Sequence, residues 1–174
     1  MQLQFEDEVS IRGRLVVSKV FPNGETELHY EDDNLITDYA RALMLALVYD
    51  TTGGVRPDPI RSFQVGSGGV ANTATPGSIL AGVPSMTSLR TPLQLGTNTL
   101  SHNRSSVTPG NLSANTPLDI TFSFGVPNSS LVDNYISEAG MFTQAGNLFS
   151  YKSFPALLKT AEFSIQFTWT ITYV

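Results

Sequence analysis

The sequence predicts a mainly β domain, an antiparallel β-sandwich with one α-helix and long extended loops. Three observations carry that expectation. Residues 163–173 alternate strictly: Phe163, Ile165, Phe167, Trp169, Ile171 and Tyr173 fall on one face, with Ser164, Gln166, Thr168, Thr170 and Thr172 on the other. Side chains change face at every residue of a strand, so this run has an apolar side and a hydroxyl-rich side. Tight-turn signals, Pro22-Asn23-Gly24 and Gln144–Asn147, separate further runs of strand composition. Only one window, Leu35–Tyr49, carries helical spacing.

From the N-terminus, Val9, Ile11, Leu15 and Val17 share a face, with Val16 and Val20 opposite. After the Asn-Gly turn, Thr26, Leu28 and Tyr30 form the returning strand of a hairpin. Glu31-Asp32-Asp33-Asn34 then reads as a helix cap, because carboxylates and Asn favour a helix start. Leu35, Tyr39, Leu43, Ala46 and Leu47 make the stripe of that helix, which stops near Asp50, ahead of Gly53-Gly54. Ile60–Val65 is a short strand ending at Gly66-Ser67-Gly68-Gly69. Strands resume at Leu118–Val126, where Ile120, Phe122, Phe124 and Val126 alternate with polar or small residues. They continue as Ile136–Phe142, Leu148–Phe154 and the alternating run to the C-terminus, which is expected to be tied into a sheet.

With 174 residues the chain fits a single domain, 1–174, with residues 70–117 as a loop-rich interaction arm or insertion. That stretch is rich in Gly, Ser, Thr, Asn and Pro and holds no carboxylate between Asp58 and Asp119, while eleven of the fifteen carboxylates lie in residues 1–58. Its Ile79, Leu80, Val83, Met86, Leu89, Leu93, Leu95, Leu100 and Val107 call for extended segments packed on something.

Composition narrows the function classes. Charged residues make up 14%, well below the usual quarter, so the polar surface is built from neutral side chains. A net charge of −5 without a basic stripe argues against nucleic-acid binding. Cysteine is absent, which excludes disulfides, thiolate nucleophiles and cysteine metal sites. No apolar run is long enough to span a bilayer, and the acidic start MQLQFEDEVS is unlike a signal peptide, so assembly in a cytoplasm without a membrane partner is expected.

Candidate chemistry is sparse. Gly66-Ser67-Gly68-Gly69 follows a strand, but no Lys-Ser/Thr or helix follows as a phosphate loop requires, so a structural turn is preferred. His29 and His102 stand alone without carboxylates at ligand spacing, and no serine lies in a nucleophile-elbow sequence. Glu138 interrupts the apolar strand Ile136-Ser137-Glu138-Ala139-Gly140. A carboxylate there needs a cation or backbone donors, and Lys152 and Lys159 are the candidate partners. A hairpin pairing Phe142 with Phe149 would put Glu138 and Lys152 on opposite faces, so a solvated or interface carboxylate is the expectation. The aromatic stripe of residues 163–173 reads as core and not as a glycan or base-stacking platform. No catalytic, cofactor-binding or metal-binding residue is nominated, and the chain is not expected to be an enzyme.

The order NLITDYARALML, FQVGSG, a variable middle, ITFSF, ISEAGMF, LFSYKSFP-LLKT and FTWTIT resembles a family of small structural proteins of tailed-bacteriophage virions, which serve as capsid decoration (cement) proteins or as tail, collar or baseplate components. The resemblance covers residues 9–69 and 118–174; ISEAGMF and FTWTIT are its specific parts. It implies a β-sandwich with one helix, assembly into trimers or other oligomers, and attachment to other virion subunits, with no catalytic residues. The expected role is a cement protein on the major capsid protein, in a virion made in a bacterial cytoplasm. The alternative is a neck, collar, tail-fibre or baseplate adaptor; a small glycan-binding or hydrolase module is weaker. Arg90, Arg104 and Glu138 are the expected interaction residues. The two arginines are suited to meet carboxylates of a partner.

Overall fold

The computed structural model describes residues 11–49, 58–71, 78–94 and 118–173. The chain is mainly β and antiparallel. Its strands are β1 (Ile11–Val20), β2 (Thr26–Ile36), β3 (Ile60–Gly66), β4 (Leu118–Val126), β5 (Tyr135–Thr143), β6 (Leu148–Leu158) and β7 (Ser164–Tyr173), with one helix, α1 (Asp38–Tyr49), after β2. They form one sheet in the order β3-β5-β6-β2-β1-β7-β4. The β2–β6 junction consists of two residue pairs only, Leu35–Tyr151 and Ile36–Ser150. The sheet folds over at that corner, and its two ends approach each other: Phe63 of β3 stacks on Phe124 of β4 with ring centroids 4.6 Å apart. The predicted sandwich is thus a single sheet rolled into a barrel-like shape.

The alternation read from sequence sets the core. Phe163, Ile165, Phe167, Trp169 and Ile171 are all buried, and so are Leu15 and Val17 of the neighbouring β1. They pack with Phe63, Val65, Phe124, Val126, Ile136, Met141, Phe149 and Phe154 into one cluster. The β1–β2 turn is the expected one: Gly24 takes φ +85°, a conformation that glycine adopts without strain, and its N–H reaches the Phe21 carbonyl at 2.9 Å.

Two expectations need correction. Residues 31–34 are not a helix cap but the second half of β2, paired with β1 from Gly13–Asn34 to Val16–Glu31. Pairing with β1 outweighs the local preference of acidic residues for a helix start. The actual cap is Thr37, whose hydroxyl accepts the Ala40 N–H at 3.3 Å and donates to the Leu148 carbonyl at 2.6 Å, fixing the helix start to β6. In the β5–β6 hairpin, Glu138 pairs with Ser153 and Ala139 with Lys152, the expected register. The register then slips, and Phe142 pairs with Leu148, not Phe149. Phe142 lies on the outer face with Glu138 and Gly140, and the irregularity turns Leu148 outward to join it in a second cluster while Phe149 enters the main core.

Among the described residues, no helix is long and apolar enough to cross a membrane.

Candidate functional site

The β5–β6 hairpin is buried on both faces. Its inner face joins the barrel core. Its outer face is covered by the chain's own segment 78–94, here termed the strap, together with the turn 66–71. Val70 and Ile79 form a bridge, as do Gly66 and Pro92. The Leu93 N–H donates to the Val65 carbonyl at 2.8 Å, the Ser67 N–H to Thr91 at 2.9 Å and the Leu80 N–H to Gly69 at 2.8 Å. Leu89, 4% exposed, enters a small cluster with Phe142, Leu148 and Tyr151, flanked by Met86. Residues 78–94 of the loop-rich middle therefore lie on the chain's own sheet; residues 72–77 and 95–117 fall outside the described residues.

Glu138 holds this arrangement together. It is fully buried. One carboxylate oxygen accepts the Thr91 N–H at 2.7 Å and the Gly68 N–H at 3.1 Å. The other accepts the Tyr151 hydroxyl at 2.9 Å and the Arg90 N–H at 3.1 Å. A buried carboxylate without partners is costly, but four donors converge here, three of them from the backbone. The glycines allow the approach: a Cβ on Gly66 would run into the Glu138 carboxylate, and one on Gly69 into the Ser137 carbonyl. The glycine-rich loop does meet an anion, through the Gly68 N–H, but the anion is the chain's own side chain and the other three donors come from the strap and β6.

Arg90 and Tyr151 complete the clamp. The Arg90 guanidinium donates to the Leu80 carbonyl at 3.0 Å, to the Ala81 carbonyl at 2.7 Å and to the Tyr151 oxygen, and lies over the Tyr151 ring. Burial, then the neighbouring Glu138 charge and its hydrogen bond, push the Tyr151 phenol far above its ordinary range. The hydroxyl thus keeps its proton and remains a donor to Glu138.

The structure brings two of the three expected interaction residues together. Glu138 is neither solvated nor on the surface, and neither lysine is its partner. Lys152 pairs with Asp32 at 2.8 Å, and Lys159 donates to the Asn128 carbonyl at 2.9 Å. Arg90, expected to meet a partner's carboxylate, spends three hydrogen bonds on its own chain. Arg104 and His102 fall outside the described residues. His29 lies against the Pro155 carbonyl at 2.9 Å. Sequence reasoning missed Tyr151 and the link between Glu138 and the glycine loop. The available signal was the pairing of an acid in an apolar strand with a glycine run that lacks phosphate-loop residues.

Beside the strap, a groove of about 440 Å³ runs between β2, β6 and residues 79–82, lined by Tyr30, Asp32, Asn34, Ile79, Gly82 and Lys152 among others. Lys152, the Asp33 N–H and the Tyr30 hydroxyl hold the Asp32 carboxyl down at about 2. Burial first, then the hydrogen bond to Asp32, pushes the Tyr30 phenol up to about 12. Asp32 and Lys152 neutralise each other, so the groove offers polar recognition without a free acid–base pair. Among the described residues no group of three or more His, Asp or Glu side chains is placed to hold a metal ion.

Fold and site together define a barrel-like antiparallel β domain whose one hairpin is sheathed by a strap clamped on a buried carboxylate. No family model, curated protein or solved structure matches the chain.

Proposed function

We propose that this chain is a structural subunit of a tailed-bacteriophage virion, a cement protein that stabilises the shell by binding the major capsid protein as an oligomer, most simply a trimer. The reading rests on the three segments that carry the resemblance. ISEAGMF, LFSYKSFP and FTWTIT lie in β5, β6 and β7, and the first two form the hairpin that bears the strap. In ISEAGMF, Glu138 and Gly140 face the strap, while Ala139 and Met141 fill the core. Those residues thus have a structural task, which is what an assembly protein asks of them. The surface next to the strap supports the same reading. Ile79 and Val83, at 43% and 53% exposure, stand out of a segment whose only charge, Arg90, is already engaged. Many copies acting together would make weak apolar contacts of this kind effective on a shell.

The adaptor alternative draws on the groove beside the strap, where Tyr30, Asp32 and Asn34 are side chains of the type that hold sugar hydroxyls. Quantitative mass spectrometry of purified particles of the encoding phage separates the readings. Hundreds of copies per particle are expected for the cement role. A dozen or fewer would move the chain to the tail axis. Its absence from particles would overturn the virion reading altogether.

A further inference from the structure

The strap is held the way a domain holds a foreign peptide. Contact is made through backbone groups, with the Arg90 and Thr91 N–H groups on Glu138 and the Leu93 N–H on Val65. One apolar side chain, Leu89, fills a pocket between Phe142, Leu148 and Tyr151. A short bridge, Gly66–Pro92, extends the edge of β3. Main-chain pairing for affinity and a side-chain pocket for specificity is the strand-addition mode of peptide recognition.

Two further observations bear on whether this ligand must come from the same chain. First, the Leu89 pocket belongs to an apolar cluster distinct from the buried barrel core, so emptying it removes no buried core residue, although Leu93 of the strap also packs against that core. Second, residues 95–117 separate the strap from β4 and residues 72–77 separate it from the turn 66–71, so at about 3.3 Å per extended residue the strap can reach a neighbouring hairpin that lies within about 20 Å of its own. A site whose ligand is a tethered segment of the same protein can be filled by that segment from another copy without any new contact.

We infer that the Glu138–Leu89 site is a peptide-binding site open to exchange, and that its partner in trans is the strap of a second copy of this chain. Two chains then link by trading residues 78–94, each strap seated on the neighbour's β5–β6 hairpin. Glu138 is the positioning residue, and the Leu89 pocket sets which segment is accepted. The inference supplies an oligomer contact to the reading given above. It can nevertheless fail alone, because a chain found in virions need not exchange straps, and a chain that exchanges straps need not enter a virion.

The test uses full-length chains. A recipient carrying Leu89→Ala keeps the site intact but weakens its own strap. A fluorescent peptide of residues 78–94 should bind it, and adding Glu138→Gln to the recipient should weaken binding by about tenfold or more, the loss of a charge-assisted contact. In the second arm the Leu89→Ala chain is mixed with a chain whose site is blocked by Gly140→Val, since a Cβ there meets Leu148 and Leu89. The mixture should form a one-to-one complex that exceeds the self-association of either chain. Trp169 fluorescence reports the separate core, so a variant that fails to fold is recognised. Glu138→Gln then replaces Gly140→Val as the blocked chain. No peptide binding by a folded recipient, or binding insensitive to Glu138→Gln, overturns the site. Peptide binding without a mixed complex overturns the second copy as its partner.

Discussion

The two faces of the β5–β6 hairpin are both buried, yet by different physics. The inner face belongs to a core of interlocking rings. Phe63 stacks on Phe124, tilts against Phe167 and meets Trp169 edge-on, and shape and apolar area stabilise the arrangement. Among the described residues, the Trp169 indole N–H finds no partner. The outer face is held by polar convergence. Four donors meet one carboxylate, and the apolar contact is a small cluster around Leu89 and Met86, with Leu93 against the barrel core. Removing apolar atoms from the first face should weaken the whole domain. Removing charge from the second should release the strap and leave the barrel standing.

The largest effect should come from Trp169→Ala. Truncation of a fully buried aromatic costs about 3–5 kcal/mol, and a denaturant titration should show the whole domain, strap included, unfolding earlier. An unchanged midpoint would mean that the ring cluster does not carry the fold. Leu89→Ala should cost less, about 2 kcal/mol, the low end for such a truncation, because its cluster is small and lies under an exposed segment. Faster proteolysis within residues 78–94, without a matching drop in the unfolding midpoint of the barrel, is the sharper sign.

The smallest effect concerns the corner between β2 and β6. Asp32 titrates at about 2 in the folded chain, below its ordinary 3.8. Its contribution is therefore complete above that ordinary value and is lost as pH falls from there toward 2. Asp32→Asn should flatten this part of the acid limb of a stability–pH curve. Since the Asp32 side chain is more than half exposed, the change should be slight and should shrink in salt. An unaltered acid limb would remove Asp32 from the account of that corner.

The two faces also differ in how far the sequence discloses them. Strict alternation in residues 163–173 made the inner face readable, and the hairpin turns at Gly24 and Gln144–Asn147 were equally plain. Residues 31–34 misled because their acidic composition favours a helix start locally, whereas pairing with β1 is a long-range matter. The outer face was obscured for a related reason. β5 is buried from Ile136 to Thr143 on both sides, so alternation has no polar side to mark. Glu138 then looked like an acid in need of a cation, when its partners were backbone N–H groups from segments far apart in the chain, which no side-chain pattern announces. The glycine loop was recognised as no phosphate loop, but what it approaches depends on the fold.

Amide hydrogen exchange on Glu138→Gln tests the separation of the two faces most directly. With the carboxylate removed, the amides of Gly68, Arg90, Thr91 and Leu93 should exchange about tenfold faster or more, as the loss of charge-assisted hydrogen bonds requires. Amides in the centres of β1 and β7 should keep their protection, and Trp169 fluorescence should not move. Acceleration in β1 and β7 equal to that in the strap, or undiminished protection at residues 89–93, would contradict the account.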